Sequence, residues 1–519
     1  MHLATAAEMR EMDKKTIGEF GIPGCVLMET AARGAFGMLL RMRPDLAQKS
    51  VAVAAGRGNN GGDGFVMARC LAQIGADVSV YLLAEKDEVK GDAALNLALL
   101  PKMGVPVFEV TDSAALSRLS GAMSLCEAWI DALLGTGLSS PVSGIYREMI
   151  EFINSRKKFV FSVDVPSGLF SDTGEADVCI KADATATFAL PKVGLWVEPG
   201  ASLRGIMEVI DIGIPTSVVE EVSPRHFLVD LDYVKAILVK RDPCAHKGTT
   251  GHLLVVAGSP GKTGAACLSA HAALRAGAGL VTLAGPKCLK PVFEIRVTEA
   301  MTEGLSETDQ GNLNENAADE VLALLEGKKC LALGPGLGPG LGTAPETAGF
   351  VARVVAESPV PVVIDADALN ALALDPTVLK KAKSAVIITP HPGEMAKLSG
   401  SSTADVQRDR MGTARKFATE YGVTVVLKGA GTVIALPGGK VGVNSTGNPG
   451  MASAGMGDAL TGIIGALIAQ GYEPHDAACA GVHLHGLSGD ILARDKGPWG
   501  FLASEVADAL PRAVKLVFG

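Results

Sequence analysis

The sequence has no close pair of cysteines, no basic excess and no apolar run long enough to cross a bilayer. Each absence removes a class of function. The nine cysteines are scattered without a CxxC, which argues against zinc or dithiol redox chemistry and for reduced, mostly buried thiols. The formal net charge of −9 is opposite in sign to the footprint of a protein that grips a nucleic acid backbone, so no nucleic acid partner is expected. The longest apolar stretches, such as GIIGALIAQG, are too short for a membrane span. The start, MHLATAAEMREMDKKTI, lacks the apolar core of a signal peptide and carries acidic residues that transit peptides avoid, so a cytoplasmic address is expected. Aromatic residues are only 4%, whereas glycine is abundant at 62. That bias suits an α/β enzyme with many tight loops where backbone approaches a ligand. The 48% hydrophobic content excludes disorder, and 519 residues exceed one ordinary core, so two or three domains are expected.

Two stretches each read as a series of alternating strands and helices. The first opens with a helix over 6–20. Strands follow at 50–55, 76–83, 128–134 and 159–165, with a glycine-rich loop and a helix over 62–75 between the first two. The pattern thins after residue 214, and a polar stretch runs to about Pro224. In the second series, strands are expected at 253–257, 280–283, 330–333, 360–365, 385–388 and 423–427. Three helical runs close the chain, starting near Ala454, Pro474 and Leu502. Short buried strands alternating with helices predict mostly parallel sheets covered on both faces. The fold class is therefore α/β in two domains, 1–220 and 221–519, the first a Rossmann-like three-layer α/β/α domain. No internal repeat relates the halves.

In the first half, Gly56-Arg57-Gly58-Asn59-Asn60-Gly61-Gly62-Asp63-Gly64 lies between a strand and a helix. Such a loop can turn its amides and a helix N-terminus toward a phosphate, and as a bare glycine loop it fits a tight turn equally well. Two asparagines and an aspartate favour a site. Asp131 to Leu138 and Asp164-Val165-Pro166-Ser167-Gly168 form two further loops at strand ends, and in an open parallel sheet these gather where ligands bind. Asp164 fits a general acid/base or, on spacing alone, an Asx turn before Pro166. In the second half, GSPGKTGA lacks the spacing of a P-loop. Asp458, in AGMGDALTG, falls in the first turn of a long helix. There it could take a proton from an attacking hydroxyl while free amides hold phosphoryl oxygens, or simply cap the helix. His483 and His485, two apart on a helix, point to different faces and read as packing rather than metal ligands.

GRGNNGGDG, DALLGTG, VDVPSGL and TFALPKVGL together resemble the YjeF N-terminal family, whose enzymes epimerise NAD(P)H hydrate, over about residues 1–215. The resemblance implies contacts to the hydrated cofactor from Asn59, Asn60, Gly61, Gly62, Asp63 and from Gly135, Thr136, Gly137, Leu138, Ser139, Ser140 and Pro141. It makes Asp164 the catalytic carboxylate, also cofactor-binding, and implies a potassium ion on Asn60, Asp131 and Ser167. Lys192 is a weaker candidate, with an exposed lysine after a strand as its alternative. AGSPGKTGAA, LGPGLG, THPGEM, KGAGTV and AGMGDALTG resemble the ADP-dependent NAD(P)H-hydrate dehydratases, a ribokinase-like α/β fold, over about residues 225–519. That resemblance implies Lys428, Gly429, Ala430, Gly431, Thr432 and Gly457 around the adenine nucleotide, and Ala266, Gly338, His391 and Asp458 around the hydrated cofactor. Asp458 would be catalytic, with magnesium on the nucleotide phosphates. Met456 departs from the wider ribokinase-like pattern, which counts against sugar kinase activity. A vitamin-precursor kinase and a non-catalytic scaffold are the competing readings, and the intact Asp63, Asp131 and Asp164 oppose the latter. The resemblance also implies a homo-oligomer.

Overall fold

The computed structural model describes residues 1–338 and 345–519. The chain divides into two compact units, His2–His226 and Phe227–Gly519 with Met1. The expected boundary after residue 220 fell in a polar stretch, but residues Thr216–Val222 form a helix there. Its buried Val218 packs with Met9, Met12 and Ala4, a single apolar anchor too slight to register as a periodic pattern.

The first unit is a seven-stranded parallel sheet. Its strands are β1 (Ser50–Ala55), β2 (Asp77–Leu82), β3 (Val107–Glu109), β4 (Ala128–Ala132), β5 (Phe159–Val163), β6 (Ala184–Phe188) and β7 (Ile206–Ile210), in the order β3-β2-β1-β4-β5-β6-β7. The order reverses direction beside β1, so the loops after β1 and β4 flank a crevice at the carboxyl edge. Alternating side chains send Val51, Val53 and Ala55 into one core with helices α2 (Gly24–Met42) and α3 (Asn59–Gln73), and Ala52 and Ala54 into a second, while Met9 and Met12 of α1 (Ala6–Gly18) pack in a separate cluster. Both faces are covered, as the run of buried β-branched and small residues predicts.

The second unit carries β8 (His226–Val229), β9 (His252–Val256), β10 (Leu280–Pro286), β11 (Met301–Leu305), β12 (Cys330–Leu333), β13 (Val362–Ile364), β14 (Val386–Ile388), β15 (Thr424–Leu427), β16 (Val433–Ala435) and β17 (Val441–Asn444). They lie in the order β8-β17-β16-β15-β14-β13-β12-β9-β10-β11. Strands β9 to β15 pair in parallel, and β15-β16-β17 form an antiparallel meander. Helices α4 (Thr263–Arg275), α5 (Pro392–Ser399), α6 (Met456–Ala469), α7 (Pro474–Lys496) and α8 (Ala503–Phe518) pack about it. From Ala459 to Ala469 every residue of α6 is buried, which makes it the central helix of its core. All nine cysteines are unpaired. Among the described residues no helix is long and apolar enough to cross a membrane.

Candidate active sites

The first site lies at the ends of β1, β4, β5 and β6. Asp131 closes β4 and is fully buried. Its Oδ2 accepts from Ser162 Oγ at 2.7 Å and from the Ser167 amide at 2.8 Å, while Ser167 Oγ donates to Oδ1. Burial nevertheless keeps the Asp131 pKa above the ordinary carboxylate value, against the pull of these hydrogen bonds. Ser167 Oγ in turn accepts from the Leu134 amide at 2.9 Å, and Gly135, next in that loop, lies against the Asn60 side chain. Both amide atoms of Asn60 are buried with no hydrogen-bond partner. An unpaired buried amide is costly, and an amide oxygen, a carboxylate and a hydroxyl on three converging loops suit a hard cation.

Asp164 follows β5 with a left-handed backbone, φ 65°. For a non-glycine residue this conformation is strained, and it aims the side chain back over the sheet edge. Its Oδ1 accepts from Lys192 Nζ, from the Phe188 amide at 3.1 Å and from Thr187 Oγ1 at 3.3 Å. The Asx turn is therefore not formed, because the carboxylate binds the neighbouring strand end rather than its own downstream backbone. Oδ2 is left without a protein donor among the described residues. Lys192 is 1% exposed, which corrects the exposed-lysine alternative. Its ammonium also donates to the Phe188 carbonyl at 2.9 Å and to Thr187 Oγ1 at 3.2 Å, so all three protons are used. Asp63 is buried without such partners. Burial, then the Asp164 charge, raise its pKa well above the ordinary value against the pull of Lys192. Asp13, from α1, joins the group and is likewise raised by burial.

The glycine loop has a second purpose. A methyl on Gly61 would stand 1.9 Å from the Gly56 carbonyl oxygen, one on Gly62 2.6 Å from Met28 Cε, and one on Gly64 2.6 Å from Ala132 Cβ. Gly61 is thus required by the close approach of α3 to the loop after β1 and Gly64 by its packing onto β4, whatever they touch in a ligand, while Gly62 faces the flexible side chain of Met28 in α2. Gly58 caps α3 without a side chain, and the first amides of the helix, including Asn59 and Asn60, are free to face an anion. Thr136 and Leu138 are partly exposed, and Gly137, Ser139, Ser140 and Pro141 are exposed, forming the rim.

In the second unit, three carboxyl groups, Asp365, Glu394 and Asp458, gather around one lysine. Lys428, at the end of β15, lies 2.6 Å from Asp365 Oδ1 and 3.8 Å from Glu394 Oε2. Burial pulls its pKa down, but the facing carboxylates outweigh that and hold it charged. Asp365 ends β13, and Thr461 Oγ1 of α6 donates to its Oδ2 at 2.9 Å. Ala366, at φ 50°, turns the chain so that Asp367 accepts from Lys262 Nζ at 2.9 Å and from the Gly338 amide at 3.1 Å. Asp367 thereby ties the first and second glycine loops together. Asp458 sits in the first turn of α6. Its helix is capped by Gly455 with no side-chain cap bond, so the capping alternative is not what the carboxylate does. Burial, and then the charge of Asp365, push its pKa up to about 6 against the pull of Lys428. Gly457 keeps this arrangement open, since a methyl there would stand 3.1 Å from Lys428 Nζ.

His391 caps α5: Nδ1 accepts from the amides of Gly393 and Glu394 at 3.0 and 3.3 Å, and its ring is 57% exposed toward solvent. Ala266 is fully buried in α4 beneath Gly258. The loop Lys428–Thr432 is held by Arg410, which donates to the carbonyls of Leu427, Lys428 and Ala430, and Gly429 (φ 139°) has no room for a methyl beside that guanidinium. His483 and His485 are buried in α7, as packing predicts. Asp365, Asp367 and Arg410 were absent from the sequence reading. Asp365 carries the same signal as Asp164, an aspartate where a predicted strand ends, whereas Arg410 carries none. Among the described residues no three His, Cys, Asp or Glu form a ready metal cage. A magnesium ion fits only if phosphate oxygens supply most of its ligands.

Residues 24–194 match the family model of the YjeF-related protein N-terminus, and residues 253–512 match that of NAD(P)H-hydrate dehydratase. A bifunctional NAD(P)H-hydrate repair enzyme of Moorella thermoacetica is 44% identical over 99% of this chain and 97% of its own. The chain belongs to the bifunctional NAD(P)H-hydrate repair enzymes. An Escherichia coli member is 34% identical over 98% of this chain and 93% of its own. A Bacillus subtilis ADP/ATP-dependent NAD(P)H-hydrate dehydratase, crystallised with ATP and Mg²⁺, is 32% identical with a TM-score of 0.49, over 56% of this chain and 98% of that one. The repair enzyme therefore joins an epimerase domain to a dehydratase domain.

Proposed function

We propose that the first unit interconverts the R and S forms of hydrated NADH and NADPH at ring carbon C6, and that the second dehydrates the S form using ADP. In the first site, Asp164 Oδ2 takes the C6 hydroxyl proton as the C6–N1 bond opens to an aldehyde and Asp63 gives its proton to the departing ring nitrogen; after rotation the nitrogen closes on the other face of the aldehyde, and both protons return. The free amides at the start of α3 meet the cofactor's pyrophosphate, and the rim from Gly135 to Pro141 covers it. A potassium ion on Asn60, Asp131 and Ser167 would neutralise the buried carboxylate and brace the three loops. The orphaned Asn60 amide supports this.

In the second site, hydroxide is a poor leaving group, so the C6 hydroxyl must be activated. Asp458 removes its proton, and the oxygen attacks the β-phosphorus of ADP as the bond to AMP breaks. The ring nitrogen lone pair then expels phosphate from C6, and loss of a C5 proton restores the double bond of NAD(P)H. Lys428 and the first-turn amides of α6 balance the charge on the phosphoryl oxygens. Lys428 to Thr432 and Gly457 hold the nucleotide, and Ala266, Gly338 and His391 border the hydrated ring. Magnesium, when bound, supplies further charge neutralisation on the phosphates. The observation that carries this reading is Asp458, a half-buried carboxyl in the first turn of α6 whose pKa is pushed up to about 6, beside a charged lysine and free helix amides. Incubating S-NADHX with ADP and Mg²⁺ and quantifying AMP and phosphate tests it: one of each per NADH is expected, and NADH formed without AMP contradicts it. The protein is further proposed to be a cytoplasmic homo-oligomer, which analytical ultracentrifugation of the purified chain checks for assembly.

A further inference from the structure

The turn that presents Asp458 is entered through a segment whose conformation is set from α7. Past β17 the chain runs through Thr446, Gly447 and Asn448 into a short turn, Pro449–Met451, and on to α6. Gly447 has φ 102°, a backbone open to glycine and not to other residues. Its amide donates to Asp490 Oδ2 at 2.9 Å, and Asn448 Nδ2 donates to Asp490 Oδ1 at 2.9 Å. The other end of the Asn448 amide accepts from the Gly450 amide at 3.0 Å, so both ends of that side chain are used. Thr446 Oγ1 donates to the His483 carbonyl at 2.9 Å. The same helix face is cut back to admit the segment: a methyl on Gly486 would stand 2.3 Å from Thr446 Oγ1, and one on Gly489 2.3 Å from Met451 Sδ.

We infer that Asp490 is a positioning residue for the dehydratase, fixing through Gly447 and Asn448 the approach of the Gly455–Asp458 turn to the nucleotide. It touches no reacting group. Its carboxylate is the one charged group that binds both the backbone and the side chain of the segment, and charge-assisted bonds are the stronger kind. The first intrahelical bond of α6 runs from the Ala459 amide to the Gly455 carbonyl. The amides of Met456, Gly457 and Asp458 therefore owe their aim to whatever orients the chain before them. Displacements well below an ångström matter for such donors. Nothing in the motif itself signals this, since Asp490 lies far along the chain in a helix otherwise devoted to packing.

The test is a pair of reciprocal substitutions in the full chain. Asp490→Asn turns an amide toward the Asn448 amide, donor against donor. Asn448→Asp turns a carboxylate toward a carboxylate. Combined, the two groups have exchanged places, and all three hydrogen bonds can form again. Each single variant is expected to lower dehydratase kcat about tenfold, with epimerase activity of the same molecule and the melting temperature little changed. The double variant is expected to recover to within about threefold of the parent. Single variants that dehydrate at the parental rate would overturn the assignment. So would a double variant no better than the singles, or losses that follow a fall in melting temperature.

Discussion

Asp458 and Asp164 are both aspartates at the carboxyl edge of a parallel sheet, yet their surroundings set them different conditions. Asp458 titrates near 6 against an ordinary 3.8. As the base, it must be ionised, so dehydratase kcat should rise with pH through about 6 and level off above 7. The stability consequence has the opposite sense. A carboxyl whose folded pKa is raised costs nothing below about pH 4, where both states are protonated, and destabilises progressively as pH climbs through 6. Asp458→Asn should thus abolish dehydration while stabilising the protein by on the order of 2 kcal/mol at pH 8 and not at pH 4. Thermal melts at the two pH values check this. The Asp164–Lys192 pair predicts an asymmetry. Asp164→Asn strands a fully buried ammonium and should cost about 3 kcal/mol or more. Lys192→Met leaves a 14%-exposed carboxylate that can take up a proton, and should cost less in chemical denaturation. For the proposed cation site, potassium chloride should raise the epimerase unit's melting point above that in lithium chloride, and Asn60→Leu should erase the difference. At this scale the sequence shows which aspartates end strands. It does not show Asp13 or Lys192 converging on Asp164, because their approach is made by the docking of α1 and of the loop after β6.

Among the elements, the glycine loop before α3 separates ligand contact from packing. Gly61→Ala drives a methyl to 1.9 Å from a carbonyl oxygen and should cost about 3 kcal/mol or more with loss of epimerase activity. Gly58→Ala meets nothing within 4 Å and should cost less than about 1 kcal/mol. Urea unfolding of both variants reads the contrast. Most buried central strands were legible because unbroken apolar runs have no other use: β1 and β12 fall on the expected residues, whereas β6, whose threonines interrupt the run, was missed. Strands β3, β7 and β11, at or near sheet edges, were not, since half of their side chains face solvent and the run is interrupted. The meander β16–β17 was missed because no helix separates its strands and Gly438, Gly439 and Gly442 interrupt the apolar run. The catalytic helix α6 was found easily, being apolar on every face.

Over the whole molecule, two folds of different strand order carry two steps on one substrate. The first unit's switch of direction beside β1 and the second unit's strand ends each place a carboxylate at the carboxyl edge of a parallel sheet. The pairing was legible as two successive motif sets, but the carboxyl cluster around Lys428 was not, because it draws on β13, β14, β15 and α6, well separated along the chain. The account therefore predicts separable activities in one chain. The most direct test is to follow NADH recovery in the near ultraviolet from a mixture of R- and S-NADHX with ADP and Mg²⁺. The parent should recover the whole mixture. Asp164→Ala should recover only the S fraction at an unchanged initial rate, and Asp458→Asn none. Complete recovery of both epimers by the Asp164 variant, or any sustained recovery by the Asp458 variant, would contradict the division of labour.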